Sequence, residues 1–279
     1  MEQSNPTVKP AFDVCVLLPC YNNQAGLRTS VESVSYYPGK LSMVIVDDGS
    51  KSPVKVEALV GAGGFPFSVY VVRLEKNSGI TEALNTGLRW IEANLTVRYI
   101  ARLDAGDVCK EDRFYRQVEF LEQNPQVGLL GSWCVFQNPS TGFHYTYTTP
   151  TQHGAILSEM HSRNVFIHPT VMFRTELVPL VGLYPTDFPH VEDYALFFKM
   201  LHQTKGAILD KTLVTCEINS KGISISNRKA QLKGRQRVIS EFGVNAFQKL
   251  VGKSKVYLLR LLPYQVILLI KNKLSSGKV

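Results

Sequence analysis

The sequence predicts an α/β fold built on a Rossmann-like, mostly parallel sheet flanked by helices, and three observations carry that prediction. Short apolar runs rich in β-branched residues alternate with segments of helical periodicity. The runs are apolar throughout, as strands covered on both faces should read. Each of them ends in turn-forming polar residues. Strand alternating with helix implies parallel pairing through right-handed crossovers.

The first strand is predicted over 14–18 (VCVLL), the second over 43–46 (MVIV), the third over 69–74 and the fourth over 99–103. Helices are predicted between them over 24–37, 53–60 and 80–94, the last from Ala83, Leu84, Leu88 and Ile91 at helical spacing. After Asp107 the rhythm changes. A helix over 113–123 and a strand over 127–137 precede a Thr- and aromatic-rich stretch, 139–150, that suits a hairpin or binding loop. Shorter strands are expected over 170–173 and 213–218, with a helix over 193–202 between them. The domain reading is therefore a body over 1–227, with a nucleotide-binding half at about 11–110 and a mixed acceptor-binding half at about 111–227. A C-terminal helical extension, 228–279, follows as two basic segments separated near Gly252.

Composition narrows the class. With 279 residues, 44% hydrophobic and 19% charged, the chain can bury a sizeable core, which excludes disorder. Five scattered cysteines without a CxxC pair argue against zinc, paired disulfides and thioredoxin-like chemistry, leaving reduced, buried thiols. No apolar run is long enough to span a bilayer, and MEQSNPTVKP does not read as a leader, so a cytoplasmic chain is expected. The formal charge of +8 is not spread: residues 228–279 hold twelve Lys and Arg against the single Glu241, and the remaining 227 residues carry −3. No nucleic-acid partner is expected, and the oligomeric state is left open.

In an open parallel sheet, ligands bind beyond the carboxyl ends of the strands. Those ends read Pro19-Cys20-Tyr21-Asn22-Asn23, Asp47-Asp48-Gly49-Ser50, Asn77-Ser78-Gly79 and Asp104-Ala105-Gly106-Asp107. GxGxxG and the P-loop are both absent, which disfavours a dehydrogenase and a P-loop enzyme. Carboxylates repel phosphate, so a diphosphate here requires a divalent cation bridging it to Asp104 and Asp107. A turn that caps the helix near Arg113 is the competing account of that pair. Glu192 and Asp193 open a helix whose stripe of Tyr194, Phe197, Phe198 and Leu201 turns inward, leaving the acids at its N-terminus, where the helix dipole also favours them.

In order and spacing, LLPCYNN, VIVDDGS, NSGITEALNTGL, YIARLDAGD with RFYRQVEFLEQNP, NVFIHPTVMFR, VGLYP and VEDYALFFKM resemble the family 2 inverting glycosyltransferases of GT-A fold, of the kind that builds bacterial surface polysaccharides. The resemblance covers about 14–225 and implies roles. Pro19, Tyr21, Asn22, Asp47, Asp48, Asn77, Arg102 and Asp104 would hold the nucleotide, with Tyr21 stacking on the base and Asp48 accepting from a base N–H. That pairing suits uridine, and thymidine presents the same edge. A plain turn at Asp48-Gly49-Ser50, and a buried ion pair at Arg102, are the alternatives. Asp104 and Asp107 would hold Mn²⁺ or Mg²⁺, although Gly106 stands where similar sequences often have a third acid, and Asn219 stands near the place of a further histidine ligand. Asp193 would be the general base, with Glu192 orienting acceptor or base. Asn85, His168 and Trp133 are candidates for sugar or acceptor contacts, His168 equally for a structural hydrogen bond.

The implied activity is metal-dependent transfer of a hexose from a UDP- or dTDP-sugar to a hydroxyl of a growing, lipid-linked surface glycan. Two rivals remain: a sugar-nucleotide-binding scaffold without catalysis, and a nucleotidyltransferase, which the absence of a basic Gly-rich loop disfavours. The stretch 256–270 (VYLLRLLPYQVILLI) is too short to span, is interrupted by Arg260, Pro263 and Gln265, and is flanked by Lys253, Lys255, Lys271 and Lys273. Such a segment suits the headgroup region at the inner face of a membrane, or else packs back onto protein.

Overall fold

A computed structural model describes residues 8–59, 64–218 and 227–261. Nine strands form one sheet: β1 (Ala11–Cys20), β2 (Leu41–Asp47), β3 (Ser68–Arg73), β4 (Thr96–Arg102), β5 (Val108–Cys109), β6 (Val127–Gln137), β7 (His144–Tyr147), β8 (Met172–Arg174) and β9 (Lys205–Glu217). Their order is β3-β2-β1-β4-β8-β6-β9-β5, with β7 pairing to β6. The first four pair in parallel, and β8 then pairs antiparallel to both β4 and β6. The predicted parallel half and mixed half thus meet at β8, in the mixed sheet that the GT-A resemblance implies.

Alternate residues of β1 enter two cores. Val14, Val16 and Leu18 face one side with α1 (Gln24–Glu32) and α4 (Arg113–Gln123). Cys15 and Leu17 face the other with α3 (Ile80–Asn94). Burial on both faces explains why these runs lack polar alternation. Short α2 (Val56–Leu59), α5 (His153–Met160) and α6 (Val178–Val181) complete the body with α7 (Glu192–Leu201). In α7, Tyr194, Phe197, Phe198 and Leu201 are buried as the stripe predicted.

Several boundaries differ from expectation. Helix α1 ends at Glu32 rather than near Tyr37, because Val34 and Tyr36 turn into the core instead. Strand β9 begins at Lys205, eight residues before the predicted start, and runs parallel to β6 through bulges. All five cysteines are free and buried, as composition implied.

The basic extension contributes α8 (Arg228–Phe242) and α9 (Ala246–Leu261). The break between them falls at Gly243–Asn245, not at Gly252. Gly252 lies inside α9, where an added Cβ would sit 1.7 Å from the His161 carbonyl oxygen, so close approach rather than helix termination calls for glycine. His161 secures the same junction: its Nε2 accepts from the backbone N–H of Val244 (3.0 Å) and Asn245 (3.3 Å), while its Nδ1 bonds the Leu157 carbonyl (2.8 Å). Leu232, Val238, Ile239 and Val256 enter the same core as α7. Of the lipid-facing segment proposed over 256–270, only the portion to 261 lies within the described residues.

Candidate functional site

The loops after β1, β2 and β3 are joined by two aspartates. Asp47 is fully buried, and its Oδ1 accepts from Ser50 N–H (2.9 Å) while Oδ2 accepts from Val54 N–H (3.1 Å) and Arg73 (2.7 Å). Burial alone would push its carboxyl up, but the Ser50 and Val54 hydrogen bonds and the Arg73 charge outweigh that and hold it below the ordinary range. Asp48 accepts from Ser78 N–H (2.7 Å) on Oδ1, and from Asn77 Nδ2 and Gly79 N–H (both 3.0 Å) on Oδ2. Asn77 therefore serves Asp48. Pro19 is buried at the end of β1, and Asn22, at φ 50, donates its N–H to Ser50 Oγ (2.9 Å). Tyr21 stands beside these at 48% exposure, its ring available for stacking.

Beyond β4 the loop turns back through an Asp107 N–H to Asp104 carbonyl bond of 3.0 Å. The N-cap of α4 is Asp112, so neither Asp104 nor Asp107 caps that helix. Fully buried Arg102 pairs with Asp104 at 2.5 Å and donates its Nε to His168 Nε2 at 3.1 Å. An arginine always donates, so Nε2 is an acceptor and the imidazole proton sits on Nδ1. Burial, then the Arg102 charge, holds His168 well below its usual range and hence neutral. Tyr184 shares the contact through its hydroxyl (2.9 Å to Nε2), and Asn85 grips Tyr184 by both backbone groups, each at 2.9 Å. His168 and Asn85 thus form a buried support behind Arg102 and Asp104. The Asn85 amide is committed to Tyr184.

Gly106 has φ 113, and an added Cβ would meet Glu217 Oε2 at 2.6 Å. Backbone conformation and the Glu217 carboxylate together account for glycine where an acid was anticipated. Asp107 accepts from Glu217 N–H (2.8 Å) on Oδ1. Burial, reinforced by Asp104 and Glu217, pushes Asp107 up to about 8.

The acids that open α7 face the same region. Asp193 accepts from Asn164 Nδ2 (2.9 Å) and from Tyr194 N–H (2.7 Å). Burial, then Glu192 and more weakly Asp104, pushes it up to about 7, against the opposing pull of Arg235. Glu192 is raised by burial, also feels Asp104, and keeps Oε2 buried without a hydrogen-bond partner. Among the described residues nothing donates to that oxygen, and a buried oxygen left unpartnered is a group awaiting a donor. Trp133 lies apart: its indole donates to the Thr149 carbonyl (2.9 Å), and it lines a recess of about 990 Å³ with Tyr115, Lys110 and Asp210, whose walls include neither Asp104 nor Asp193.

The family model described as Glycosyl transferase family 2 matches residues 15–179, more than half of the chain. The chain belongs to glycosyl transferase family 2. The amylovoran biosynthesis glycosyltransferase AmsE of Erwinia amylovora is 30% identical over 190 residues, 67% of this chain and 68% of that protein. A UDP-Gal:alpha-D-GlcNAc-diphosphoundecaprenol beta-1,3-galactosyltransferase of Escherichia coli is 28% identical over 195 residues, 69% and 68% of the two chains. Among solved structures, the mannosyltransferase PcManGT of Pyrobaculum calidifontis with GDP-Man and Mn²⁺ superposes with TM-score 0.65 at 19% identity over 98% of this chain and 83% of that one. S. aureus TarS 1-349 with UDP-GlcNAc gives 0.64 at 16% over 88% and 72%.

For this family 2 glycosyltransferase a divalent cation suits the donor set beside Gly106. The oxygens are hard ligands, and the repulsion from Asp104 and Glu217 that adds to burial in raising Asp107 is what a cation would relieve. Among the described residues no three His, Cys, Asp or Glu side chains already form a metal cluster. Asp104 and Asp107 would therefore complete the coordination with substrate phosphate and water, as Mg²⁺ sites commonly do. Asn219, read as standing at a further ligand's place, lies outside the described residues. Three groups escaped the sequence reading: Asn164, which holds Asp193; Glu217, which crowds Asp107; and Arg235, which reaches Asp193 from the extension. Only Asn164 carried a signal, standing at the head of NVFIHPTVMFR.

Proposed function

We propose that the protein transfers a hexose, with inversion, from a UDP- or dTDP-sugar to a hydroxyl of a lipid-linked bacterial surface glycan, and that Mn²⁺ or Mg²⁺ assists. The observation that carries this reading is Asp193: a carboxylate aimed by Asn164, poised near neutrality, and within electrostatic reach of the Asp104 loop. The acceptor oxygen attacks the anomeric carbon on the side opposite the diphosphate, its proton passes to the Asp193 carboxylate, and the C1–O bond breaks with its electron pair leaving on the nucleoside diphosphate. When bound, the ion supplies Lewis-acid stabilisation of the charge on that diphosphate. Tyr21 stacks on the base, Asp48 fixes the Asn77–Gly79 loop against it, and the orphaned Glu192 Oε2 accepts from a sugar hydroxyl. Arg102, buttressed by His168, holds Asp104 in place.

Support for a polysaccharide acceptor comes from the roles named for AmsE and the E. coli galactosyltransferase. Support for work at a membrane surface comes from α9, where Phe247, Leu250, Tyr257, Leu258 and Leu261 are each more than half exposed at helical spacing, beside Lys253, Lys255 and Arg260. No helix among the described residues is long and apolar enough to cross a membrane. An anionic bilayer matches both the apolar stripe and the charge. The test is hydrolysis and transfer from a panel of UDP- and dTDP-sugars with Mn²⁺ or chelator. Free sugar released only with the metal supports the reading, whereas tight donor binding without turnover favours a scaffold. Leu250→Ser with Leu258→Ser should abolish sedimentation with phosphatidylglycerol vesicles while leaving donor hydrolysis unchanged.

A further inference from the structure

The C-terminal extension reaches the reaction centre as well as the surface. Helix α8 lies against the start of α7 so closely that a Cβ on Gly234 would stand 2.6 Å from Val191 Cγ2, and Val191 immediately precedes Glu192 and Asp193. Two arginines follow that contact, and they are used differently. Arg237 is paired with Asp187 and Glu241 and lies over the Phe188 ring at 4.0 Å, a structural bracket between α8 and the loop before α7. Arg235 forms no ion pair and donates no side-chain hydrogen bond to any described residue, although it is only partly exposed. The groups that feel its charge are Asp193, Tyr194 and Tyr147.

The neighbouring cation is already engaged. Arg163 is bonded to Glu159 and to the Tyr147 hydroxyl, so among the described residues Arg235 is the guanidinium whose charge acts on Asp193 without a bond of its own. A bare guanidinium next to a carboxylate, yet not bonded to it, can present its donor fork to a ligand oxyanion. In the reaction proposed above the donor diphosphate is held at Asp104 and Asp107, and inversion requires it to leave on the side of the reacting carbon opposite the base. An anion on the Asp193 side must therefore arrive with the acceptor.

We propose that Arg235 is an acceptor subsite: it binds the diphosphate that joins the acceptor sugar to its lipid, holding the reactive hydroxyl at Asp193. This rests on the lipid-linked acceptor proposed above. It gives the extension a second task, since the helix pair that meets the bilayer through α9 also carries, on α8, the group that receives the lipid's phosphates. An acceptor of neutral linkage would gain nothing from Arg235, so the residue is a determinant of acceptor class.

The test is calorimetric binding of geranyl diphosphate to the full-length protein in EDTA, which removes any metal-bridged hold on a diphosphate. Wild-type protein should bind saturably, Arg235→Gln should weaken binding at least about tenfold, and Arg235→Lys should recover part of the loss. Arg235 bonds to no described residue, so both variants should unfold as cooperatively as wild type, Arg235→Gln differing only by the loss of the charge that acts on Asp193. Equal binding by wild type and Arg235→Gln, or no binding by wild type, overturns the proposal. Phosphatidylglycerol vesicles form the second arm: unchanged sedimentation of Arg235→Gln supports an acceptor subsite, and loss of vesicle binding overturns it in favour of a lipid-headgroup contact. Donor hydrolysis is read separately, so a wild type that binds geranyl diphosphate but never turns over a sugar nucleotide would sink the transferase reading and leave the subsite standing.

Discussion

The aspartates at the end of β2 and the acids at the mouth of β4 and α7 are the same functional group in opposite conditions. Asp47 and Asp48 receive three hydrogen bonds each, from four backbone N–H groups, Asn77 and Arg73, and they tie loops together. Asp107, Glu192 and Asp193 are all pushed upward, first by burial and then by other acids: Asp104 and Glu217 beside Asp107, Asp104 near Glu192, and Glu192 and Asp104 near Asp193. The contrast teaches that burial alone does not decide a carboxylate's state. Asp47 is out of contact with solvent yet shifts down, because donors and a guanidinium surround it. Asp47 is stabilised as an anion by the fold; the second set is short of partners that a cation, a sugar hydroxyl or an acceptor proton would supply.

The largest expected effect lies in the second set. Asp193→Asn should lower transfer by about 10²- to 10⁴-fold, the usual contribution of a positioned base, while donor affinity changes little. Near wild-type kcat in that variant would remove Asp193 from the role. In wild type, kcat/KM should rise through pH 7 as Asp193 ionises.

Stability should separate the two sets by sign. Asp47 is depressed in the folded protein, so its contribution is present above the unfolded carboxyl range and lost as pH falls through the folded value. Asp107 is raised, so the folded state binds the extra proton between the unfolded range and about 8, and the chain loses stability as pH climbs across that window. Asp47→Asn should therefore destabilise by about 1.5–3 kcal/mol at pH 8, the range for hydrogen bonds to a charged group. Asp107→Asn, measured without metal, should raise the melting temperature at pH 8 and leave it nearly unchanged at pH 4. Melting curves moving in the same direction for both variants at pH 8 would erase the distinction.

Smaller effects concern the ligand. Asp104→Asn should weaken UDP binding in Mn²⁺ by at least about tenfold, or 1.4 kcal/mol, and leave uridine binding alone, since only the diphosphate needs a bridge. Equal losses for both ligands would detach the metal from this loop. Tyr21→Ala should cost about 1 kcal/mol for uridine and UDP alike if stacking on the exposed ring holds the base. Unchanged uridine affinity would place the base elsewhere.

Much of this arrangement was legible in the chain. Helices Ile80–Asn94 and Arg113–Gln123 and strand Val127–Gln137 match their predicted limits, because their apolar spacing and their flanking residues agree. Asp48, Asp104 and Asp193 were singled out as candidates because they stand just past an apolar run or at a helix entrance. What escaped depends on tertiary pairing. Lys205–Asp210 extends β9 only because β6 lies beside it, and its charges hide the strand. Helix α5 buries just Ile156 and Met160, too few to show a period. Charge counting set the basic segment 228–279 apart from the rest of the chain, yet Gly234 brings α8 against Val191 and the Arg235 charge acts on Asp193, a proximity that no local pattern announces.

The division between the two carboxylate sets is tested most directly by titrating the side-chain carboxyls themselves, by carbon-13 NMR of protein labelled at aspartate and free of divalent metal, with Asp→Asn variants assigning the signals. Asp47 should remain ionised below the ordinary carboxyl range, while Asp193 and Asp107 should take up protons near 7 and 8. Three overlapping titrations near the ordinary aspartate value would contradict the account.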